Sequence, residues 1–181
     1  QCLRAPIPAQ QRLLAAARAA GMLVVHTREG HRTDLSDLPD WKRIRAERSG
    51  APIGAPGPLG RLLVRGEYGH DLIDELQPQV GEPVIDKPGY CAFAATDLEL
   101  ILRTRGIDSL IITGVTTEVC VSSTLRSAID RGFNCLTVSD ACASAHPELH
   151  AAALAMINVE GGIFGEVCDS AALLSALREA A

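Results

Sequence analysis

The sequence predicts an α/β fold: a mostly parallel, doubly wound sheet with helices on both faces. Three observations carry this. From Pro83 onward, short apolar runs alternate with helical periodicities, the order that strand-helix-strand units require. Ser109 to Thr113, "SLIIT", is a continuous apolar run between Asp108 and Gly114, as in a strand covered on both faces. An Ala-rich segment with helical punctuation precedes the first apolar run.

In chain order, Gln10 to Ala20 places Leu13, Ala17 and Ala20 on one face, with Pro8 near its start and Gly21 at its end. Those are the boundary signals of a helix. Met22 to His26 follows as a buried strand. Residues 27–81 lose periodicity and gather Pro, Gly, Asp and Arg. Loops of that length inside compact domains are usually functional or interfacial, so this one reads as a lid or an oligomer contact, not a linker. Pro83 to Asp86 is a short strand and Thr96 to Gly106 a helix, with Thr96 and Glu99 in capping-box spacing. After the Ser109 strand, Glu118 to Gly132 is helical, Cys135 to Val138 a strand and Pro147 to Val159 a helix. Ile163 to Val167 is a short strand and Ser170 to Ala180 the last helix.

A chain of 181 residues is one domain's worth, 1–181, and buries roughly 70% of its unfolded surface. Its 47% hydrophobic and 22% charged residues exclude a disordered or collagen-like chain. The net charge of -5 supplies no basic face for phosphates, which argues against nucleic acid and for small molecules or proteins as partners. No apolar run reaches the roughly 18 residues of a membrane span. Six cysteines without a CxxC pair argue against a zinc cluster or a disulfide framework and fit a reducing, cytoplasmic setting. The first residue is Gln1, not Met, so the expectation is a chain that begins within a domain, with a signal peptide upstream left open.

In open α/β sheets, ligands bind beyond the carboxyl ends of the strands. The segments there are "HTREGH", "DKPGYCAF", "GVTTEVC" and "SDACAS", so one rim gathers Glu29, a candidate substrate contact, with Lys87 and Cys120. Cys120 opens a helix, where unpaired amides and the positive dipole end favour a thiolate. The apolar stripe of that helix runs through Val121, Leu125, Ala128 and Gly132, which leaves Cys120 off the core face. The bland reading of any cysteine is a small buried hydrophobe, and it is kept for Cys135 and Cys168 inside strands. Cys2, Cys91 and Cys142 have no comparable helix-end setting. Lys87 is one of two lysines against fifteen arginines. A solvated surface role is the common one, but an ammonium near a thiol lowers its pKa and stabilises charge on a substrate. His26, Glu29 and His31 lack the spacing of a strong metal motif, so no metal is assigned. The glycines of "GAPIGAPGPLGR" do not match a phosphate-binding loop.

With "IDKPGYCAFAATDLELIL" and "IITGVTTEVCVSSTLRSAIDRGF" placed, the sequence resembles the isochorismatase-like cysteine hydrolases, and within them the biuret hydrolase branch. The similarity runs from "HTREGHRTDLSDLP" through "RGEYGHDLIDEL" to "GGIFGEVCDSAAL". The resemblance implies a three-layer α/β/α, Rossmann-like fold, a dimer or tetramer, no cofactor, and an Asp-Lys-Cys triad for hydrolysing carbon-nitrogen bonds. Cys120 matches the nucleophile and Lys87 the triad lysine. The family's oxyanion hole uses backbone amides matching Thr116 and Cys120, with a cis peptide before Thr116. The triad Asp ends the family's first strand, and nothing in this sequence matches it; both are expected upstream of Gln1.

Phe93 matches an aromatic position of the biuret hydrolase pattern and is expected to stack on a flat urea, with Tyr90 beside it in place of a different residue type. Glu160 in "NVEGGIFG" stands where biuret hydrolases carry Gln. An ionised Glu only accepts hydrogen bonds and favours a cation, which raises guanylurea beside biuret; an exposed Glu near the last strand explains it equally well. The expected function is a cysteine amidohydrolase that cleaves a small linear urea or amide through a thioester and releases ammonia. The alternatives are a ureidoacrylate- or carbamoyl-type substrate, or a catalytically silent binding module. A nicotinamidase-type member would carry a His-rich metal motif that "HTREGHRTDL" does not present, and an isochorismatase proper lacks the cysteine.

Overall fold

The computed structural model describes residues 2–179, with Cys2 described by its backbone only. Helix α1 spans Ile7–Ala19 and starts earlier than its punctuation predicts, because Pro6 and Pro8 sit at its first turn, where a missing N–H breaks no bond. Its buried face is Ile7, Ala9 and Leu13, not the expected line through Ala17 and Ala20. Strand β1 is His26–Glu29, displaced from the apolar run at Met22. Pairing in parallel with β4 begins only at His26 opposite Val84, while Leu23 and Val25 pack against the core without strand pairing.

Residues 27–81 hold more structure than their composition indicates. Helix α2 covers Asp40–Arg48 after Pro39, and β2 (Pro56–Gly57) pairs antiparallel with β3 (Gly60–Arg61). Helix α2 escapes a search for apolar periodicity because the residues it buries are Lys42 and Ala46, one of them charged. Strand β4 is Val84–Lys87 and helix α3 is Leu98–Thr104. The capping box expected there does not form. The Thr96 hydroxyl donates to the Ala92 carbonyl at 2.5 Å, and Glu99 instead pairs with Arg131 at 2.9 Å.

Strand β5 (Ser109–Val115) leads through one π-helical turn, Thr117–Val121, into α4 (Ser122–Asp130). Then come β6 (Asn134–Ala143), α5 (Pro147–Ile157), the single turn α6 (Val159–Gly162), β7 (Glu166–Cys168) and α7 (Ser170–Glu179); Ala180, the expected end of the last helix, lies outside the described residues. Strand β7 begins three residues later than its apolar run, after Gly165 passes against the Cys135 carbonyl.

The sheet comes in two parallel pieces: β1 with β4, and β5, β6 and β7 in that order. Among the described residues no backbone pairing joins β4 to β5. Strand β5 is therefore not covered on both faces as expected. Side chains alternate along a strand, so Ile112 is buried while Ile111 and Val115 are 39% and 44% exposed on the other face. Two apolar clusters give the three layers. One joins Ile112 and Cys135 of the sheet to Leu98, Leu102, Leu125, Ala128 and Ile157 of α3, α4 and α5. The other joins Val138 and Ala141 of β6 to Leu13 of α1 and Leu173 of α7. No described helix is long and apolar enough to cross a membrane.

Candidate active site

Parallel pairing places Glu29 directly opposite Lys87 at the carboxyl ends of β1 and β4. Strand β5 ends beside them, the Val115-Thr116 peptide is cis, and the π-helical turn that follows carries Cys120. Such turns recur at functional sites because the wider ring re-aims side chains. The amides of Val119 and Val121 both donate to the Thr116 carbonyl, at 3.3 and 3.2 Å. The Thr117 hydroxyl meets His150 Nδ1 of α5 at 2.8 Å. From below, the turn is anchored by Val121, Leu125 and Ala128, all buried, which leaves Cys120 off the core face and half-buried.

The structure brings Glu29, Lys87 and Cys120 together. Lys87 Nζ lies 3.6 Å from Cys120 Sγ and 3.6 Å from Glu29 Oε2, and donates to the Gly89 carbonyl at 3.0 Å. Cys120 Sγ lies 3.8 Å from Glu29 Oε2. The thiolate expected from the helix-end position is not the favoured form. Burial pushes the Cys120 thiol up and Glu29 adds to the rise, against the Lys87 ammonium and a hydrogen bond from the Thr116 amide. Desolvation outweighs the attraction. That bond points the Thr116 N–H toward the Cys120 sulfur.

A second lysine completes the cluster and was not singled out from the sequence. Lys42 of α2 is buried, and its ammonium donates to Glu29 Oε1 at 2.7 Å and to the Pro88 carbonyl at 2.6 Å. The rarity argument that selects Lys87 applies equally to Lys42, the only other lysine in the chain. Tyr90 lies at the edge of this cluster, its ring centroid 5.1 Å from Lys42 Nζ and 5.7 Å from the Arg45 guanidinium.

Two expected substrate contacts are not brought to the sulfur. Phe93 is 6% exposed, stacked 5.8 Å from Phe133 and covered by Arg131 at 5.0 Å. Its ring belongs to the core and has no free face for a urea. Glu160 is exposed on α6 with a positive φ of 52°, and no described contact joins it to the cluster. The three residues weighed as metal ligands turn to separate partners: His26 to Glu82 at 2.9 Å, His31 to Asp37 at 3.2 Å and Glu29 to the two lysines.

Residues 3–172 match the Isochorismatase domain. The chain belongs to the isochorismatase family. Among curated family members it is 37% identical over 171 residues to the ureidoacrylate amidohydrolase RutB of Serratia proteamaculans (strain 568), covering 91% of this chain and 67% of that protein. The ureidoacrylate amidohydrolase RutB of Yersinia enterocolitica serotype O:8 / biotype 1B (strain NCTC 13174 / 8081) is 38% identical over 164 residues, 88% of this chain and 70% of the relative. The crystal structure of a cysteine hydrolase from Pseudomonas syringae pv. phaseolicola 1448A superposes with a TM-score of 0.85 at 27% identity, over 99% of this chain and 83% of that one. The superposition shows the isochorismatase-like fold.

Proposed function

We propose that this isochorismatase-family chain is a cysteine amidohydrolase acting on a small linear ureido compound, with Cys120 as nucleophile. The observation that carries the reading is the approach of Lys87 Nζ to within 3.6 Å of Cys120 Sγ at the sheet's carboxyl rim. The likeness to ureidoacrylate amidohydrolases over about nine-tenths of the chain supports a carbamoyl-type substrate, ureidoacrylate first. Biuret and guanylurea recede, because the residues that pointed to them, Phe93 and Glu160, are a core ring and an exposed side chain with no described contact to the cluster.

In this mechanism the Cys120 sulfur attacks the ureido carbonyl, and the amides of Thr116 and Cys120 receive the oxyanion. A carbon-nitrogen bond breaks, the nitrogen leaves with the proton given up by the thiol, and water then cleaves the acyl-sulfur bond. Because burial pushes the thiol up, attack is helped by a base that takes the proton as the bond forms. The resemblance gives that step to an aspartate at a strand end, and none of the described residues matches it. Lys87 stabilises the developing charge on sulfur and substrate. Five described cysteines are free thiols, consistent with a reducing compartment. The exposed Trp41, Leu59 and Tyr68 of the long excursion support its reading as a contact between copies.

The test is ammonia release from ureidoacrylate, biuret and guanylurea by the wild-type protein and by Cys120→Ser. Turnover of ureidoacrylate above the other two, lost by at least about a thousandfold in Cys120→Ser, is the expected result. Turnover that survives the substitution would overturn the nucleophile, and a preference for guanylurea would overturn the substrate.

A further inference from the structure

We propose that Lys42 is a positioning residue: its ammonium neutralises Glu29, so that the field of Lys87 acts on the Cys120 sulfur undiminished. The inference rests on Cys120 as the nucleophile but not on which compound is hydrolysed.

Lysine is almost never fully buried unless paired, and Lys42 is 1% exposed on a nine-residue helix with three other basic residues and two acidic ones. Removing an ammonium from water costs several kcal/mol unless partners compensate. Here the compensation is specific: Glu29 Oε1 at 2.7 Å, the Pro88 carbonyl at 2.6 Å and the Tyr90 ring at 5.1 Å. None of these is the sulfur. Lys42 reaches the site through the Glu29 carboxylate and through the Pro88 carbonyl that follows Lys87.

The carboxylate between the two lysines decides the local balance. Glu29 turns one oxygen to Lys42 and the other toward Lys87 and Cys120, at 3.6 and 3.8 Å. With Lys42 absent, Lys87 would be the one described cation paired with Glu29. A negative charge would then stand beside the sulfur with its counter-ion drawn away from the thiol, and both effects disfavour a thiolate. With Lys42 present, Glu29 is neutralised from its far side, so among the described residues two ammonium groups share one carboxylate and Lys87 stays available to charge on the sulfur.

Other groups around the turn do not substitute for this pair. Glu118 lies within the turn, and His150 of α5 is engaged with Thr117 at 2.8 Å. Arg126 of α4 is held by Ser122 at 2.9 Å, and Asp140 of β6 by Ser170 at 2.7 and 2.6 Å. Strand β5 carries no charged residue.

The experiment is the pH dependence of iodoacetamide alkylation at Cys120, read by mass of its peptide so that the other cysteines do not interfere. It needs no substrate. A like charge uncovered within 4 to 6 Å moves a pKa by about one unit or more. Lys42→Met should therefore be alkylated about tenfold more slowly at pH 7, with its profile displaced to higher pH. Glu29→Gln, which keeps an acceptor for Lys42, should move the profile to lower pH. The double variant, which loses one positive and one negative charge together, should return close to wild type, and Lys42→Arg should recover part of the loss. An unchanged profile in Lys42→Met, or a double variant as slow as Lys42→Met, overturns the proposal. Should Lys42→Met fail to fold, Glu29→Gln decides alone, since an unmoved or raised profile contradicts the charge balance. Failure of the nucleophile assignment reads differently: ammonia release would persist in Cys120→Ser whatever the alkylation profiles show.

Discussion

Replacing Glu82 with Gln removes the charge that ties α1, the start of β1 and the turn before β4 together. Arg18 of α1 donates to its two oxygens at 2.7 and 2.9 Å, His26 of β1 meets it at 2.9 Å and the Gln79 amide donates at 2.8 Å. The Arg18 hydrogen bond leads the causes that lower the Glu82 carboxyl from its ordinary 4.5 to about 2. The unfolded chain therefore takes up this proton first on acidification. The stability from ionised Glu82 is complete above pH 4.5 and is lost as pH falls toward 2. At 1.36 kcal/mol per pH unit the displacement amounts to about 3 kcal/mol. Water contact with Arg18 and the bonds a Gln retains reduce the expected loss to about 1 to 2 kcal/mol at pH 7, or about 4 °C in melting temperature for a chain of this size. Urea unfolding followed by far-UV circular dichroism, wild type against Glu82→Gln, should show a gap at pH 7 that has shrunk to about half by pH 3. A gap of equal size at both pH values, or none at pH 7, would refute the reasoning.

Two further outcomes follow from packing. Phe93→Leu should cost about 1 to 2 kcal/mol in urea unfolding, because it unstacks Phe133 in the core, and should leave KM for the ureido substrate unchanged; a raised KM at unaltered stability would return the ring to the substrate site. Gly165→Ala should lower the melting temperature by well over 5 °C, since its φ is +99° and a Cβ there would stand 2.2 Å from the Cys135 carbonyl oxygen. Melting within a degree of wild type would show that the backbone shifts there at little cost.

Much of the fold is legible because its signals are local. The stripe Val121, Leu125, Ala128 repeats within α4 and is buried as its spacing predicts. Elements that depend on distant partners are less legible. Helix α2 buries a lysine whose partners, Glu29 and Pro88, lie 13 and 46 residues away, so no periodicity within the helix announces it. The capping box at Thr96 has the right spacing, but the hydroxyl finds the Ala92 carbonyl first. The apolar run of β5 forms a strand, yet whether a second face is covered depends on neighbours that a run of residues does not encode.

At the site the division is the same. Sequence alone determined that Cys120 would open a helix at a strand end and that Lys87 would close β4, because both follow from short-range hydrogen bonding and side-chain period. Only the tertiary structure decided that Glu29 stands between Lys87 and the buried Lys42, that Phe93 is core, and that burial pushes the thiol up. Charge balance and desolvation depend on distances across the sheet, and those distances exist only once the strands are paired.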